Sequence, residues 1–151
     1  MEQDVVIRSA QPVDMPAVAA AYEWLFVPPG RRPPRWDETN AVRALREVWS
    51  SGRSDVLIAD VDGDLVGFCT VYLDILSVRF GQRSWVEDLA VHPDRRSGSI
   101  GGRLLTAAQD WARERGASHL ELDSGNDRIR AHRFYESRQP ASRSQCFSWT
   151  L

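Results

Sequence analysis

The sequence predicts an α/β fold built on a single mixed β-sheet, with elements in the order β-α-α-β-β-β-α-β-α-β. Three observations predict this fold. The 151 residues suit one domain of ordinary size, and 42% of them are hydrophobic. Apolar residues recur at helical spacing as far as Trp49 and follow strand-like patterns after Asp55. Helical and strand-like segments then alternate with short connections, so we expect residues 1–151 to form a single domain.

The first half of the chain predicts one short strand followed by two helices. Val5–Arg8 has the composition of a strand, and Asp14 is placed to cap a helix that ends at Pro28-Pro29-Gly30. Asp37 is placed to cap the second helix, which Gly52 closes. The apolar stripes are Met15, Val18, Ala19, Tyr22, Leu25 and Phe26 in the first helix and Ala41, Leu45, Val48 and Trp49 in the second.

The second half of the chain predicts five strands and two helices. Asp62-Gly63 marks a hairpin turn between the first two of these strands. The clearest helix is amphipathic and ends at Gly116. The predicted strands are 56–59, 65–75, 85–91, 119–122 and 146–149, and the predicted helices are 100–115 and 129–137.

The composition excludes several mechanisms and gives no sign of nucleic-acid binding. All 19 Lys and Arg residues are arginine, so neither a P-loop lysine nor a Schiff-base lysine is present. The formal net charge is −2, which does not favour a nucleic-acid partner. The glycine-rich stretch follows the fourth predicted strand, whereas a Rossmann fingerprint follows the first strand of a βαβ unit. We therefore expect neither a P-loop enzyme nor a dinucleotide enzyme.

The remaining composition favours a cytoplasmic protein without a metal site. Cys69 and Cys146 lie in apolar segments and are expected to be reduced thiols of the core. Neither belongs to a CxxC pair, so we expect no metal. The first residues are acidic and no apolar run is long enough to span a membrane, so neither a secretory signal nor a membrane partner is expected.

The segment from Trp85 to Leu105 carries the chemistry that the sequence makes visible. It reads as a strand, a turn of small residues and a long helix. Small residues let a ligand approach the backbone, and the free N–H groups at a helix N-terminus attract anions such as pyrophosphate. The alternative is an ordinary flexible turn, because glycine-rich turns are common.

Two motifs in this half of the chain resemble those of the GNAT superfamily of N-acetyltransferases. Glu87-Asp88-Leu89-Ala90-Val91 followed by Arg96-Ser97-Gly98-Ser99-Ile100-Gly101 resembles motif A, whose signature is Arg/Gln-x-x-Gly-x-Gly/Ala after a strand. Ala131-His132-Arg133-Phe134-Tyr135 resembles motif B, Ala-x-x-Phe-Tyr. The family's order of elements matches the predicted order over nearly the whole chain. Two positions depart from the pattern: Ser99 replaces the usual first glycine, and Gln139-Pro140 replaces the usual Gly-Phe.

The resemblance implies acetyl-CoA as the cofactor and assigns its contacts. The strand backbone would pair with the pantetheine arm and offer an N–H to the thioester oxygen, and the turn would hold the pyrophosphate. The implied contacts are Leu89, Ala90 and Val91 on the strand, Arg96, Ser97, Gly98, Ser99, Ile100, Gly101 and Gly102 in the turn and helix, and Asn126 on the pantetheine amide.

The resemblance also assigns two catalytic roles. Tyr135 matches the tyrosine that protonates the departing thiolate, although a core tyrosine is the alternative. Glu87 is the candidate base; otherwise it binds substrate or is simply exposed. Regular alternation would place Asp88 on the opposite side of the strand from Glu87, unless a bulge intervenes.

The function predicted from the sequence is transfer of an acetyl group from acetyl-CoA to a primary amine of a small molecule or a protein N-terminus. The alternative is a non-catalytic acyl-CoA-binding or sensing module with the same fold, for which the two departures at Ser99 and Gln139-Pro140 are the reason. The partners expected are the amine acceptor and, in a homodimer, a second copy; a monomer is equally compatible with the sequence. No acceptor motif is legible between Trp24 and Asp37.

Overall fold

The computed structural model describes residues 4–96 and 98–151 of the chain. The strands are β1 (Val5–Ser9), β2 (Ser54–Val61), β3 (Asp64–Ser77), β4 (Gly81–Val91) and β5 (His119–Glu121). The helices are α1 (Met15–Ala21), α2 (Glu23–Phe26), α3 (Glu38–Ser50), α4 (Ile100–Glu114) and α5 (Ile129–Ser137), with 3₁₀ turns at Pro12–Asp14 and Pro93–Arg95.

The five strands form one sheet in the order β1-β2-β3-β4-β5. The first four strands pair antiparallel, and β5 pairs parallel with β4. The parallel pair needs a crossover, which α4 provides between β4 and β5. The predicted mixed α/β sheet is therefore confirmed.

Helices cover both faces of the sheet and bury a separate apolar cluster on each. On one face, α1 and α3 pack on β2, β3 and β4 through Met15, Val18, Leu45, Ile58, Phe68 and Ala90. On the other face, α4 packs through Ile100, Leu104, Ala108 and Trp111 against Leu57, Cys69, Val71 and Val86. Neighbouring residues of one strand, such as Phe68 and Cys69, thus serve opposite faces, as the two-residue period of a strand requires.

The first predicted helix is divided in two, and its predicted cap has another role. The chain turns at Tyr22, whose N–H approaches the carbonyls of both Ala19 and Ala20, and α2 begins at the next residue. The Asp14 carboxylate does not cap α1, because it forms an ion pair with Arg8 and accepts the N–H of Gln11. By contrast, the predicted cap of the second helix is confirmed: Asp37 accepts the N–H of Asn40 at 3.1 Å.

The last predicted strand, 146–149, is absent, and Cys146 is not part of the core. Residues 141–151 adopt no regular secondary structure, and the side chains of Phe147 and Trp149 are exposed. Only two apolar side chains favour a strand there, and the edge strand β5 has only three residues with which a neighbour could pair. Cys69 is buried as predicted, whereas Cys146 is an exposed free thiol.

A helix must be long and apolar to cross a membrane. Within residues 4–96 and 98–151, no helix combines the length and the apolar character that crossing a bilayer requires.

Candidate active site

The sheet opens between β4 and β5. These strands pair only at Arg83–His119, Ser84–Leu120 and Trp85–Glu121, whereas β4 continues to pair with β3 as far as Val91. Beyond Trp85, the backbone of β4 therefore has no strand partner on its β5 side among the described residues. This stretch contains Leu89, Ala90 and Val91, and its free backbone groups can pair with an extended ligand.

A bulge in β4 places both carboxylates of the predicted motif on the same face. Cys69 pairs with Leu89 and Val71 with Val86, so Glu87 and Asp88 together oppose the single residue Thr70. The Asp88 N–H donates to the Thr70 hydroxyl at 3.1 Å. Val86 belongs to the α4-side cluster and Ala90, four residues later, to the other cluster. In a regular strand both would lie on the same face, so the extra residue shifts the alternation by one position.

Asp88 accepts a hydrogen bond from a tyrosine that lies between α1 and α2. The Tyr22 hydroxyl donates to Asp88 Oδ2 at 2.7 Å. Burial raises the pKa of the Asp88 carboxyl above its ordinary value, and the nearby charge of Glu87 adds to the rise. The Tyr22 hydrogen bond and the charge of Arg128 act in the opposite direction. Asp88 is therefore a half-buried carboxyl with increased basicity, near the point where β4 and β5 separate.

Aromatic side chains surround this carboxylate pair. The Trp85 indole N–H donates to Glu87 Oε2 at 2.7 Å. Tyr22 stacks on Trp36 with ring centroids 5.2 Å apart, and Phe26 meets Trp36 edge to face. Carboxylates beside aromatic faces favour a cation at this surface.

Tyr135 lies on the α4 side of the sheet. It is half-buried on α5, and Phe134 beside it packs against α4, where a Cβ on Gly101 would lie 3.5 Å from the Phe134 ring. Burial, and to a smaller extent the nearby Cys69 thiol, raises the pKa of Tyr135 to about 12, although the charge of Arg128 acts in the opposite direction. Its hydroxyl therefore keeps its proton throughout the neutral range.

The N-terminus of α4 forms the end of the predicted pyrophosphate site. Ser99 occupies the cap position with no hydrogen bond from its side chain, and its carbonyl accepts the Arg103 N–H as the first bond of the helix. The N–H groups of Ile100, Gly101 and Gly102 are thus those that a helix leaves unpaired at its start. The Ile100 side chain is buried in the core, so only its backbone N–H could contact a ligand at the helix start. Ser97 lies outside the described residues.

A groove of about 470 Å³ runs beside this helix start, between α4 and α5. Its lining includes Gly98, Ser99, Gly102, Arg103 and Arg138. The Arg138 guanidinium donates to the Thr106 hydroxyl at 3.1 Å. Two arginines and unpaired backbone N–H groups are donors that suit the phosphates of CoA.

Two predicted contacts have positions that the motif alone did not indicate. The Arg96 guanidinium donates to the Val91 and Trp24 carbonyls, each at 3.2 Å. Asn126 is exposed in the turn before α5. Arg128 follows in the same turn, and its guanidinium donates to the Leu25 carbonyl at 3.2 Å.

Sequence reasoning missed Asp88, Tyr22, Arg128 and Arg138 as members of this site. A strand with regular alternation places Asp88 away from Glu87, and only the bulge brings them together. The other three come from segments remote in the sequence, which no local spacing connects. The only feature of the sequence that pointed toward these residues was the resemblance of motifs A and B to those of the family.

Known proteins share these features of sequence and fold. Residues 18–139 match the model of the acetyltransferase (GNAT) family. An uncharacterized N-acetyltransferase of Bacillus subtilis, YhfO, is 37% identical over 100 residues, which cover 66% of this chain and 67% of that protein. The aminoglycoside N(6')-acetyltransferase type 1 of Stenotrophomonas maltophilia is 28% identical over 131 residues, or 84% of each chain.

A solved structure shares the fold at low sequence identity. The aminoglycoside N-acetyltransferase AAC(6')-Iy, in complex with CoA, superposes with a TM-score of 0.85 at 15% identity and covers 100% of this chain and 97% of its own. This likeness extends to the fold alone, while the family model matches most of the sequence. The chain belongs to the acetyltransferase (GNAT) family of acetyl-CoA-dependent N-acyltransferases.

Proposed function

We propose that this protein transfers an acetyl group from acetyl-CoA to a primary amine of a small molecule or of a protein N-terminus. One observation carries the proposal. Two carboxylates lie on one face of the sheet beside the opening between β4 and β5, and Tyr135 lies on the other face. An amine must lose a proton and a thiolate must gain one. The structure thus offers one candidate group for each transfer.

The residues at the start of α4 fit the cofactor. Ser99, Ile100, Gly101 and Gly102 would hold the pyrophosphate through backbone N–H groups, with charge from Arg103 and Arg138 beside them. Gly98, whose own N–H donates to the Arg95 carbonyl at 3.3 Å, would contribute a close approach of its backbone. Ser97 and Asn126 remain proposed contacts from the motif resemblance. Bound acetyl-CoA supplies the acetyl thioester, at which the C–N bond forms as the C–S bond breaks.

The carboxylate pair would receive the acceptor's proton. Asp88 Oδ2 is occupied by Tyr22, which leaves Oδ1 for the substrate ammonium. A raised carboxyl pKa brings a base closer to the neutral range, where general-base catalysis is most effective. Glu87, held by Trp85 on the same face, shares this role as the second proposed base.

Tyr135 would hold the proton that the sulfur needs. Since its pKa is about 12, the hydroxyl is protonated at the moment the thiolate leaves. The backbone N–H groups of Leu89 to Val91 would polarise the carbonyl oxygen, and one such preorganised donor contributes on the order of 3 kcal/mol to lowering a barrier.

The acceptor is proposed to be a cationic amine. The site combines Glu87 and Asp88 with the rings of Tyr22, Trp36 and Trp85, and such a surface favours ammonium groups over anions. The sequence relative named as an aminoglycoside N(6')-acetyltransferase supports the same class, because aminoglycosides carry several amines.

The test is release of free thiol from acetyl-CoA with a panel of amines, run beside calorimetry of CoA binding. The panel pairs a polyamine and an aminoglycoside with an amino acid and an N-terminal peptide. Turnover on at least one cationic amine is expected. Binding of CoA without turnover on any amine would instead favour the non-catalytic module, and failure to bind CoA would overturn both functions.

A further inference from the structure

Two arginines attach the short helix α2 to the segments proposed to bind the cofactor. Arg96 Nη2 donates to the Trp24 carbonyl and Arg128 Nη2 donates to the Leu25 carbonyl, each at 3.2 Å. The two acceptors are consecutive. Arg96 belongs to the turn before α4, and Arg128 is the cap residue of α5, which carries Tyr135. Two separate parts of the chain therefore hold one short helix.

The helix α2 needs such external contacts. It has four residues, too few for a helix to be stable in isolation. Its last carbonyls have no partner within the helix, and cationic donors stabilise such carbonyls. The chain beyond α2 also packs tightly, because a Cβ on Gly30 would lie 1.8 Å from the Leu25 carbonyl oxygen and 2.9 Å from Arg128 Nη2. A side chain at Gly30 would displace this arrangement.

The position of α2 determines the acceptor side of the site. Tyr22 immediately precedes α2 and donates to Asp88. Phe26, at the end of α2, contacts Trp36, which stacks on Tyr22. A shift of α2 would therefore move the donor to the proposed base and the aromatic rings beside it.

Arg96 can contact α2 and a phosphate at the same time. A guanidinium has five N–H donors, and Arg96 uses two of them on the Val91 and Trp24 carbonyls. Arg96 is exposed, so its remaining donors could reach an anion bound beside the turn that precedes α4. The planar Arg96 guanidinium would then contact the phosphate, the end of β4 and α2 at the same time.

We propose that Arg96 and Arg128 are positioning residues for α2, and that Arg96 transmits occupancy of the phosphate site to the acceptor side. The inference rests on the proposed function, in which the phosphates of CoA bind at the start of α4. In the free protein both arginines hold α2, and cofactor binding would fix Arg96 and thereby strengthen its hold on α2. The acceptor surface is then most stable when the cofactor is bound.

Amide hydrogen exchange of the full chain, with and without CoA, tests the inference without knowledge of the acceptor. In the parent protein, CoA should slow exchange both at residues 99–103 and at residues 23–30. A slowing of at least about 5-fold is expected at α2, the effect of strengthening one hydrogen bond by about 1 kcal/mol. Arg96→Gln should keep the CoA response at residues 99–103 and lose it at α2. Arg130→Gln, which removes an exposed arginine of α5, is the matched control and should behave as the parent.

Two further variants keep the result decisive. Arg96→Lys retains the charge but lacks the several N–H donors of the guanidinium, so CoA should no longer slow amide exchange at α2 in this variant. Arg128→Gln should speed α2 exchange by about 5-fold in the free protein, an outcome that needs no ligand. Protection of α2 by CoA that is unchanged in both Arg96 variants would overturn the coupling, and unchanged α2 exchange in Arg128→Gln would overturn the role of Arg128. CoA that protects neither segment of the parent would overturn the proposed cofactor site itself, and with it the coupling.

Discussion

Asp88 illustrates at the scale of one residue how a reactive group opposes stability. Its side chain is half-buried, and its pKa is raised because removal from water disfavours the charged form. A group whose pKa is raised in the folded state stabilises the fold below its unfolded pKa, and that contribution is lost as the pH rises through the folded value. Deprotonation of Asp88 in the folded state is therefore a cost to folding, and its proposed role as a base depends on that deprotonated form.

Replacing this carboxylate should separate the two effects. Asp88→Asn removes the half-buried charge and keeps an oxygen for the Tyr22 hydroxyl, so the denaturant midpoint at pH 7.5–8 should rise above that of the parent. The difference should shrink as the pH falls toward the ordinary carboxyl value of about 4. Turnover should fall by about 100-fold, the usual effect of losing a positioned base. Urea unfolding across pH measures the first effect and thiol-release kinetics the second, with Glu47→Gln at an exposed carboxylate of α3 as the control. A midpoint for Asp88→Asn below the parent's at pH 8 would contradict the charge argument.

Tyr135 gives the corresponding test on the other face of the sheet. Tyr135→Phe keeps the ring and removes the hydroxyl, so stability and CoA affinity should change by no more than about 1 kcal/mol. Turnover at saturating acetyl-CoA should drop by roughly 100-fold if the hydroxyl protonates the thiolate. Because the pKa is about 12, the parent should lose no activity through Tyr135 at any pH below about 11. Turnover of the variant within a few-fold of the parent would instead identify Tyr135 as a packing residue.

Elements differ in how far the sequence predicted them, and the reasons are local. The amphipathic stripe of α4 and the Asp37 cap were readable because each depends on spacing within one segment. The β4 bulge was not, because it arises from pairing with Thr70 on another strand. The strand predicted at 146–149 failed for a similar reason: alternation alone does not supply a neighbour with enough backbone to pair. Local pattern thus predicted elements, while pairing between elements decided the site.

The start of α4 provides a prediction at the scale of an element. Gly101→Glu places a carboxylate among the unpaired N–H groups, where it competes with the phosphates and repels them. CoA affinity should fall by at least about 100-fold, or about 2.7 kcal/mol. Gly101→Ala is the control, since its Cβ would make an ordinary contact at 3.5 Å with the Phe134 ring. Calorimetry of both folded variants checks this; normal CoA affinity in Gly101→Glu would place the cofactor elsewhere.

At the scale of the whole molecule, the site is a consequence of the sheet's construction. Each face has its own helices and its own apolar cluster, and the opening between β4 and β5 connects the two faces. The family motifs predicted the strand and helix that border this opening. They did not predict which groups from the α1–α2 layer meet it, because Tyr22 and Asp88 are 66 positions apart. Long-range packing brings these groups together, so the sequence predicted the strand and helix that border the opening more fully than the groups that meet it.

Binding of the cofactor should be visible in the stability of the entire chain. We predict a micromolar dissociation constant without a metal, because the donors at the proposed phosphate site are backbone N–H groups and arginines. A ligand that binds only the folded state at 100 times its dissociation constant stabilises that state by about 2.7 kcal/mol. For a chain of this size the unfolding temperature should then rise by roughly 5–10 °C. Thermal unfolding with increasing CoA measures this, with adenosine as the control that lacks the phosphates. A chelator should leave the CoA-dependent rise unchanged, and its disappearance on chelation would show that a metal ion takes part in binding.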